Sequence, residues 1–325
     1  MNIPERAGIT MAEELEIKAQ EVKQKLHYGN DASIDRKAEK WVLEPLIPHR
    51  GITILDGLGA SGKSWFAMDL SYSISLGQTF LGKFPVKKSG KVLYLTAEES
   101  EGAFVERLDM IQQHYPESKG NFIWLSLLEE GVNISSYLCT KKKGERLYTE
   151  TAEILRELIK EIQPVVVVLD SLINFFGMNE NDSEDVVYFY EVLKYFIREY
   201  KVNFLLLHHQ NKEGMRNQSD DVISFRGSGV LREQARSRII YKNVDLGDGE
   251  FARKIILEKS NYYSKLKDEY KLSEGIYLKF DGGKHVYDEA FHRWAMSKEA
   301  EKKDGKKNGN KKEQKEEDYD YEIPF

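Results

Sequence analysis

Eight consecutive residues, 57–64, carry the clearest chemistry in this sequence. They read Gly-Leu-Gly-Ala-Ser-Gly-Lys-Ser and fit the pattern G-x-x-x-x-G-K-[ST]. Glycines let consecutive backbone N–H groups curl around a phosphate, and a helix N-terminus favours negative charge. An apolar run (residues 52–55) precedes the loop and a helix-like stretch (65–75) follows it, which is the context that a phosphate-binding loop requires. The sequence therefore predicts a nucleoside triphosphate site.

The same pattern gives roles to individual residues of this loop. Lys63 is expected to reach the β and γ phosphates, and the Ser64 hydroxyl to bind Mg²⁺. The alternative, a glycine- and serine-rich turn that matches by chance, is disfavoured by the flanking strand and helix. The predicted nucleotide-binding residues are Gly57, Gly59, Ala60, Ser61, Gly62, Lys63, Ser64 and Trp65.

Two other apolar runs end in carboxylates that suit the same chemistry. Residues 165–169 lead into Asp170, which is placed to orient Mg²⁺ through water; the alternative is that it caps the next turn. A second run ends near Glu98 and Glu99. A glutamate there could polarise the water that attacks the γ phosphate, because in-line positioning is most of what hydrolysis requires.

Composition limits the class of protein. With 325 residues, 41% of them hydrophobic, the chain can form one large core or a core with a small appendage. One cysteine, Cys139, excludes a disulfide framework, so we expect a reducing cytoplasm. No apolar stretch approaches the ~20 residues of a membrane span, and we expect no membrane partner. The net charge of −6 disfavours a uniformly basic nucleic-acid binder but would hide a narrow basic channel.

Strands and helices alternate from about residue 41 to 295, and this alternation predicts an α/β fold. Continuous apolar strands are typical of a parallel sheet between helix layers. Closely spaced later strands, with glycines at 247, 249, 282 and 283, favour antiparallel hairpins that extend the sheet. The predicted strands are 51–55, 91–96, 121–125, 165–169, 203–207, 237–241, 255–259 and 276–280, and the predicted helices include 153–162 and 183–200.

The two ends of the chain differ from this core. Residues 1–40 predict a helical arm, and a capping box formed by Thr10 and Glu13 marks the start of its helix. Its apolar stripe packs either on its own domain or on a neighbouring subunit, and periodicity does not choose between them. Residues 296–325 are rich in lysine, glycine and asparagine, which predicts a disordered, flexible linker with an acidic tip. The apolar stripe of the N-terminal arm consists of Met11, Leu15, Ala19, Val22 and Leu26.

In their order, these motifs resemble a RecA-type ATPase core. More closely they are similar to the RepA-type hexameric helicases of plasmids and phages, which are relatives of DnaB-type replicative helicases. Residues 225–231 resemble a DNA-facing pore loop, and residues 257–262 the strand that reaches a neighbour's γ phosphate. The similarity covers about residues 41–265. It implies a RecA-like P-loop core with a mainly parallel sheet, ATP and Mg²⁺ as cofactors, and a homo-oligomer, as a hexamer, on single-stranded DNA.

Carried over by position, the resemblance implies a set of catalytic residues that includes Lys63. Glu98 matches the catalytic base, with Glu99 as the less favoured substitute. His209 matches the residue that senses the γ phosphate; a strand-end histidine satisfied locally is the alternative. Lys259 matches a residue that completes the neighbouring subunit's site.

The pore-loop resemblance implies DNA contacts. Arg226, Gly227 and Gly229 match residues that grip the phosphodiester backbone, partly through main-chain N–H groups that glycine leaves accessible. Arg216 lies in the same stretch and adds positive charge.

One departure from the family pattern concerns the residues that act across the subunit interface. DnaB-type helicases carry Lys-x-Arg there, whereas this chain reads Lys259-Ser-Asn. An arginine finger can be worth about 10³ to 10⁵ in rate, so without one the ATPase would be feeble. Arg232, Arg236 and Arg238 are the candidates to supply it.

The last residues resemble the acidic tip of bacterial single-stranded DNA-binding proteins. Phe325 would fill an apolar pocket while its carboxylate pairs with a basic group, and Ile323 and Pro324 complete the match. The resemblance implies binding to a replication protein such as a primase, a helicase or a polymerase accessory protein. The alternative is a solubilising acidic tail.

Two functions follow from these observations. In the first, a ring of subunits uses ATP to translocate on single-stranded DNA and unwind duplex during replication of a plasmid, phage or mobile element. In the second, a RecA-like switch ATPase loads or regulates replication or repair proteins without unwinding. No separate DNA-binding or primase domain accompanies the core, which is compatible with both.

Overall fold

A computed structural model describes residues 11–24, 40–115, 120–129, 132, 135–209, 229–260 and 269–316. The chain divides into two compact units, Met1–Glu39 and Lys40–Phe325. In the first unit the described part is helix α1, Met11–Lys23. Two members of the predicted apolar stripe, Leu15 and Val22, are exposed on it. Leu26 lies outside the described residues, and docking of the stripe stays a prediction.

The second unit is built from strands and helices that alternate along the chain. Its strands are β1 Trp41–Leu43, β2 Ile47–Pro48, β3 Ile52–Gly57, β4 Val92–Thr96, β5 Phe122–Ser126, β6 Cys139–Lys142, β7 Glu145–Tyr148, β8 Val166–Asp170, β9 Asn203–His209, β10 Ser237–Gly247, β11 Glu250–Ser260, β12 Ile276–Asp281 and β13 Lys284–Val286. Its helices are α2 Lys63–Leu76, α3 Glu101–Gln112, α4 Glu150–Ile162, α5 Leu172–Phe176, α6 Ser183–Tyr200, α7 Gly229–Gln234 and α8 Glu289–Glu316.

Nine of these strands form one sheet, in the order β13-β12-β11-β10-β3-β9-β8-β4-β5. The six strands from β10 to β5 are parallel, and β11, β12 and β13 extend the sheet through antiparallel pairs. In this order β9 lies between the phosphate-loop strand β3 and the Asp170 strand β8. The sheet confirms the predicted RecA-like α/β class with a mainly parallel sheet and an antiparallel extension.

The parallel strands are buried because both faces of the sheet are covered. Along β8, Val166 and Val168 pack with the cluster that includes Phe66 of α2. The alternate residue Val167 packs with the other cluster, which includes Phe189 of α6. Side chains of successive strand residues point to opposite faces, so one continuous apolar strand fills two cores.

Two features depart from the sequence-based expectations. The small hairpin of β6 and β7 and the helix α3 were not predicted. Where composition predicted a flexible linker from residue 296, the backbone is helical as far as Glu316. Lysine and glutamate are good helix formers, and Lys302 pairs with Asp245 at 2.8 Å, which extends α8 beyond its buried Ala295. Residues 317–325 lie outside the described part.

Candidate nucleotide-binding site

The phosphate loop joins the buried end of β3 to the first turn of α2. Ala60 has a φ of 58° and Gly62 a φ of 97°, so the loop turns through left-handed backbone conformations. At Gly57 a Cβ would lie 2.6 Å from the Tyr241 carbonyl oxygen, closer than side chains pack. Glycine is therefore required there by the neighbouring strand as well as by the phosphate-loop pattern.

Lys63 lies almost completely buried beneath this loop, with 4% of its surface exposed. Its Nζ donates to the Leu58 carbonyl oxygen at 2.8 Å and lies 3.2 Å from Nδ1 of His209. Burial lowers the pKa of Lys63, although the carboxylates of Asp170 and Glu98 oppose that effect. The loop thus holds an ammonium group close to two carboxylates at the start of α2.

Glu98 follows the end of β4 and faces the same point. Its Oε1 lies 2.9 Å from Nε2 of His209 and accepts hydrogen bonds from Ser171 and from Asn174, the latter at 3.2 Å. Burial alone would raise the pKa of Glu98, but the hydrogen bonds from His209 and Ser171 outweigh it, so the pKa is lowered. The side chain is therefore held as a carboxylate.

His209, the last residue of β9, connects the lysine and the glutamate. With Lys63 donating to its Nδ1, the ring carries its proton on Nε2 and donates it to Glu98. One imidazole thus joins the two groups of opposite charge. The role of His209 as a sensor of the γ phosphate, and the alternative of a strand-end histidine satisfied locally, both stay predictions.

Glu99 points away from this constellation. Its Oε1 lies 2.5 Å from Nη2 of Arg107 on α3, a helix that Ser100 caps by accepting from the Ala103 N–H. Burial raises the pKa of Glu99 even though Arg107 opposes the shift. Of the two adjacent glutamates, only Glu98 contacts His209.

Asp170 ends β8 beside the phosphate loop and is 3% exposed. Its Oδ2 accepts a hydrogen bond from the Tyr94 hydroxyl at 2.7 Å, and Ser64 also donates to its carboxylate. Burial raises the pKa of Asp170 despite these two hydrogen bonds. The Ser64 hydroxyl and the Asp170 carboxylate, predicted from sequence to serve the same cation, are therefore in contact.

Sequence reasoning missed Tyr94, Ser171 and Asn174. One signal for Tyr94 was present, since a tyrosine within a continuously apolar strand must find a partner for its hydroxyl. Ser171 and Asn174 lie just after β8, and no motif pointed to them. Their contribution depends on how the end of β8 is placed against Glu98.

A buried ionic network lies behind the phosphate loop. Asp56 of β3 accepts from Arg238 of β10 and lies 2.6 Å from Nδ1 of His208. Arg238 also lies 3.1 Å from Glu258 and is only 2% exposed. Arg238 was one of three candidates for an arginine finger; that prediction is wrong, because its guanidinium is committed inside its own subunit.

Lys259 does not join its own chain's phosphate loop. On the sheet, Lys259 of β11 lies opposite Arg238 of β10, which in turn lies opposite Ile54 of β3. Ile54 precedes the end of β3 that leads into the phosphate loop. The Nζ of Lys259 donates to the carbonyl oxygens of Arg232 and Glu233 at the end of α7, at 3.1 and 2.6 Å. Burial lowers the pKa of Lys259. Action in a neighbouring subunit stays a prediction.

The predicted DNA and partner contacts are mostly outside the described residues. This holds for Arg216, Arg226 and Gly227 and for the tail residues 323–325. Gly229 is described as the first residue of α7, and a Cβ there would meet none of the described atoms within 4 Å. Packing against the described residues therefore does not explain a glycine at that position.

Two kinds of feature are absent from the described ranges. None of their helices is long and apolar enough to cross a membrane. They also contain no group of three or more histidine, cysteine, aspartate or glutamate side chains arranged to hold a metal ion.

Comparison with known proteins places the chain in a family. A family model described as an AAA domain matches residues 18–215, which is more than half of the 325 residues. The chain belongs to this family. It is therefore a P-loop ATPase, and the match includes the phosphate loop, Glu98, Asp170 and His209.

A solved structure and a search of curated proteins complete the comparison. This ATPase is similar to a KaiC-like protein, PH0186, from the hyperthermophilic archaeon Pyrococcus horikoshii OT3, with 14% sequence identity and a TM-score of 0.48. The alignment covers 76% of this chain and 94% of that one. No curated protein matches the sequence.

Proposed function

We propose that this P-loop ATPase is a ring-forming helicase or translocase that uses ATP to move on single-stranded DNA during replication of a plasmid, phage or mobile element. The observation that carries the proposal is the position of His209. Its ring contacts both Lys63 and Glu98, and the chain continues from it directly into residues 210–228, which hold the predicted DNA contacts Arg216 and Arg226. A change at the γ phosphate would therefore reach the first residue of that segment.

The residues present fit a nucleotide and Mg²⁺. The Ser61 hydroxyl is buried in the loop and has no hydrogen-bond partner among the described residues, as expected of a group that contacts phosphate. The hydroxyl of Ser64 and the carboxylate of Asp170 are in contact and supply the kind of oxygen atom that Mg²⁺ prefers, so these two residues would hold the ion. When bound, Mg²⁺ would neutralise charge on the phosphates.

The side chains of the chain itself supply positioning and proton transfer. Lys63 would leave the Leu58 carbonyl and compensate the charge that develops on the γ phosphate. Glu98, kept ionised by His209 and Ser171, would orient a water molecule and accept its proton. The hydrogen bond from His209 to Glu98 would then weaken, and the change of state would reach the segment that begins at residue 210.

Strand displacement on a forked duplex tests this proposal. We expect unwinding with ATP and none from Lys63→Ala. Arg226→Ala should weaken single-stranded DNA binding and DNA-stimulated hydrolysis but spare basal hydrolysis, since it contacts phosphate backbone. Arg198→Ala is the matched control, because Arg198 is an exposed arginine on α6. Active hydrolysis without any unwinding would contradict the proposal.

A second candidate is a switch ATPase that loads or regulates replication or repair proteins. It is favoured by two of the three candidate arginines, because Arg238 is buried in its own subunit and Arg232 pairs with Glu258, which leaves the exposed Arg236 as the remaining candidate. Without an arginine finger hydrolysis would be slow, as suits a switch. The switch predicts slow turnover that DNA or a client protein stimulates, with no strand displacement at any protein concentration.

The assembly and the tail belong to the same proposal. A hexameric ring would place Lys259 of one subunit beside the phosphate loop of the next. The tip formed by Ile323, Pro324 and Phe325 would bind a primase, a helicase or a polymerase accessory protein. Titration of a labelled 316–325 peptide against such a replication protein tests this. The absence of saturable binding at tens of micromolar would indicate that the tail serves only to increase solubility.

A further inference from the structure

One tyrosine, Tyr241, lies against both ends of the phosphate loop. It follows the part of β10 that pairs with β3, in which Ile240 lies opposite Asp56. A Cβ at Gly57, where the loop leaves β3, would lie 2.6 Å from the Tyr241 carbonyl oxygen. A Cβ at Gly62, where the loop enters α2, would lie 3.4 Å from the Tyr241 hydroxyl oxygen and 3.7 Å from Cε1 of its ring. The backbone and the side chain of one residue therefore support opposite ends of the loop.

The ring of Tyr241 is held in place by a buried chain of hydrogen bonds. Its hydroxyl oxygen lies 2.8 Å from Nε2 of His285, and Nδ1 of His285 lies 3.1 Å from Oδ2 of Asp69. The Asp69 carboxylate is the acceptor, so the imidazole carries its proton on Nδ1 and accepts the tyrosine O–H at Nε2. Burial raises the pKa of Tyr241 and lowers the pKa of His285, and both effects favour the uncharged groups that this arrangement requires.

Asp69 connects this chain of hydrogen bonds back to the phosphate loop, because it lies on α2, the helix that begins at Lys63. Asp69 also accepts hydrogen bonds from the backbone N–H of His285, at 2.8 Å, and from the Tyr115 hydroxyl, at 2.5 Å. Asp69, Tyr241 and His285 each expose 1% of their surface or less. Buried polar groups that are paired in this way hold one orientation, because another orientation would leave a partner unsatisfied.

We propose that Tyr241 is a positioning residue, which holds the phosphate loop in its phosphate-binding shape before a nucleotide arrives. Glycine leaves the backbone free to adopt many conformations, so the loop alone does not fix the φ of 97° at Gly62. The tyrosine ring limits the conformations open to Gly62, and less ordering is then left for the ligand to impose. This inference rests on the nucleotide-binding function proposed above and gives a role to a residue outside the phosphate-loop pattern.

Two tyrosine-to-phenylalanine substitutions test the proposal, each compared with the wild type by urea unfolding and by calorimetric titration with ATP. Tyr241→Phe keeps the ring but removes the hydrogen bond to His285. Tyr115→Phe is the matched control, because the Tyr115 hydroxyl bonds Asp69 and Ser73 rather than facing the loop. We expect both variants to lower the urea midpoint. Only Tyr241→Phe should lower ATP affinity, by about five-fold, which corresponds to the net contribution of one hydrogen bond.

Inorganic tripolyphosphate and a second variant give independent measurements. Because the loop binds phosphates, Tyr241→Phe should weaken tripolyphosphate and ATP by the same factor. His285→Leu removes the acceptor of the same hydrogen bond, and the double variant should lose no more affinity than Tyr241→Phe alone.

Three results would overturn the positioning role of Tyr241. They are an unchanged ATP affinity in Tyr241→Phe, an equal loss of affinity in Tyr115→Phe, and a loss for ATP without one for tripolyphosphate. A wild-type protein that binds neither ligand would instead overturn the nucleotide function on which the proposal rests.

Discussion

At the scale of single residues, His209 joins the two oppositely charged groups of the candidate site. It receives a hydrogen bond from Lys63 and donates one to Glu98, at 3.2 and 2.9 Å. The hydrogen bond to Glu98 is a main reason that the pKa of this carboxyl is lowered against the effect of burial. Removing the ring should therefore change both the rate and its dependence on pH.

We expect His209→Ala to lower turnover roughly 10- to 100-fold, because Glu98 loses one of its orienting donors. Activity requires ionised Glu98 and is lost as the pH falls through its pKa. Without His209 that pKa rises, so the acid limb of the pH–rate profile should move to higher pH. A uniform loss of rate with an unmoved acid limb would show that His209 only supports the fold. His114→Gln, at a histidine bonded to Gly282, is the control.

The sequence predicted the charged members of the site but not their supports. The sequence patterns assign a chemical role to each of the residues they contain, which here are Lys63, Ser64, Glu98 and Asp170. Tyr94, Ser171 and Asn174 act through contacts between separate strands and loops, and no spacing pattern records such contacts. The same is true of Arg238, because its position after the pore-loop motif did not indicate that it is buried and paired with Asp56.

At the scale of elements, the phosphate loop depends on its fit against β10. Gly57→Ala would press a Cβ against the Tyr241 carbonyl oxygen, 2.6 Å away. Overpacking of this kind costs about 1–3 kcal/mol, which urea unfolding should detect. Gly102→Ala is the matched control on α3, where a Cβ meets nothing within 4 Å; it should be neutral or slightly stabilising. Equal effects of the two substitutions would contradict this packing.

A second element-scale contact joins α2 to the β12–β13 hairpin. His285 of β13 is buried between Asp69, at 3.1 Å from its Nδ1, and the Tyr241 hydroxyl, at 2.8 Å from its Nε2. Burial lowers the pKa of His285 from 6.5, although Asp69 opposes the shift. The network that this histidine completes holds the helix following the phosphate loop in place.

This lowered pKa gives stability a pH dependence of known sign. Below pH 6.5 the unfolded chain takes up a proton that native His285 does not, so its contribution is complete above pH 6.5 and is lost as the pH falls toward its native pKa. We expect wild-type stability to fall more between pH 7.5 and 5.5 than that of His285→Gln, by at most about 1.4 kcal/mol per pH unit. His114→Gln should keep the wild-type slope; an identical slope in His285→Gln would contradict the account.

Elements were predictable where one pattern persisted. The eight predicted strands all lie within or beside observed ones, and helix α6 has the predicted bounds, because buried strands and amphipathic helices carry strong periodic signals. The short hairpin of β6 and β7 carries too few residues for such a signal. Helix α8 runs past Ser297 because its lysines and glutamates are good helix formers. The same composition contains too few apolar residues to form a core, which is why it predicted disorder.

At the scale of the whole molecule, the ring model requires Lys259 to act outside its own subunit. Mixing Lys259→Ala subunits with Glu98→Gln subunits should restore part of the lost hydrolysis, since some sites then combine an intact Glu98 with a neighbour's intact Lys259. Mixing Lys63→Ala with Glu98→Gln is the control and should restore nothing, because both residues belong to one subunit's site. Equal inactivity of both mixtures in verified mixed rings would leave Lys259 as a cap of α7 only.

The most direct test of the account compares the two adjacent glutamates in single-turnover ATP hydrolysis. Glu98 contacts His209 beside Lys63, whereas Glu99 pairs with Arg107. We expect Glu98→Gln to bind ATP normally and to lose hydrolysis by about 100-fold or more, while Glu99→Gln stays within a few-fold of the wild type. Wild-type turnover by Glu98→Gln, or inactivity confined to Glu99→Gln, would contradict the site described here.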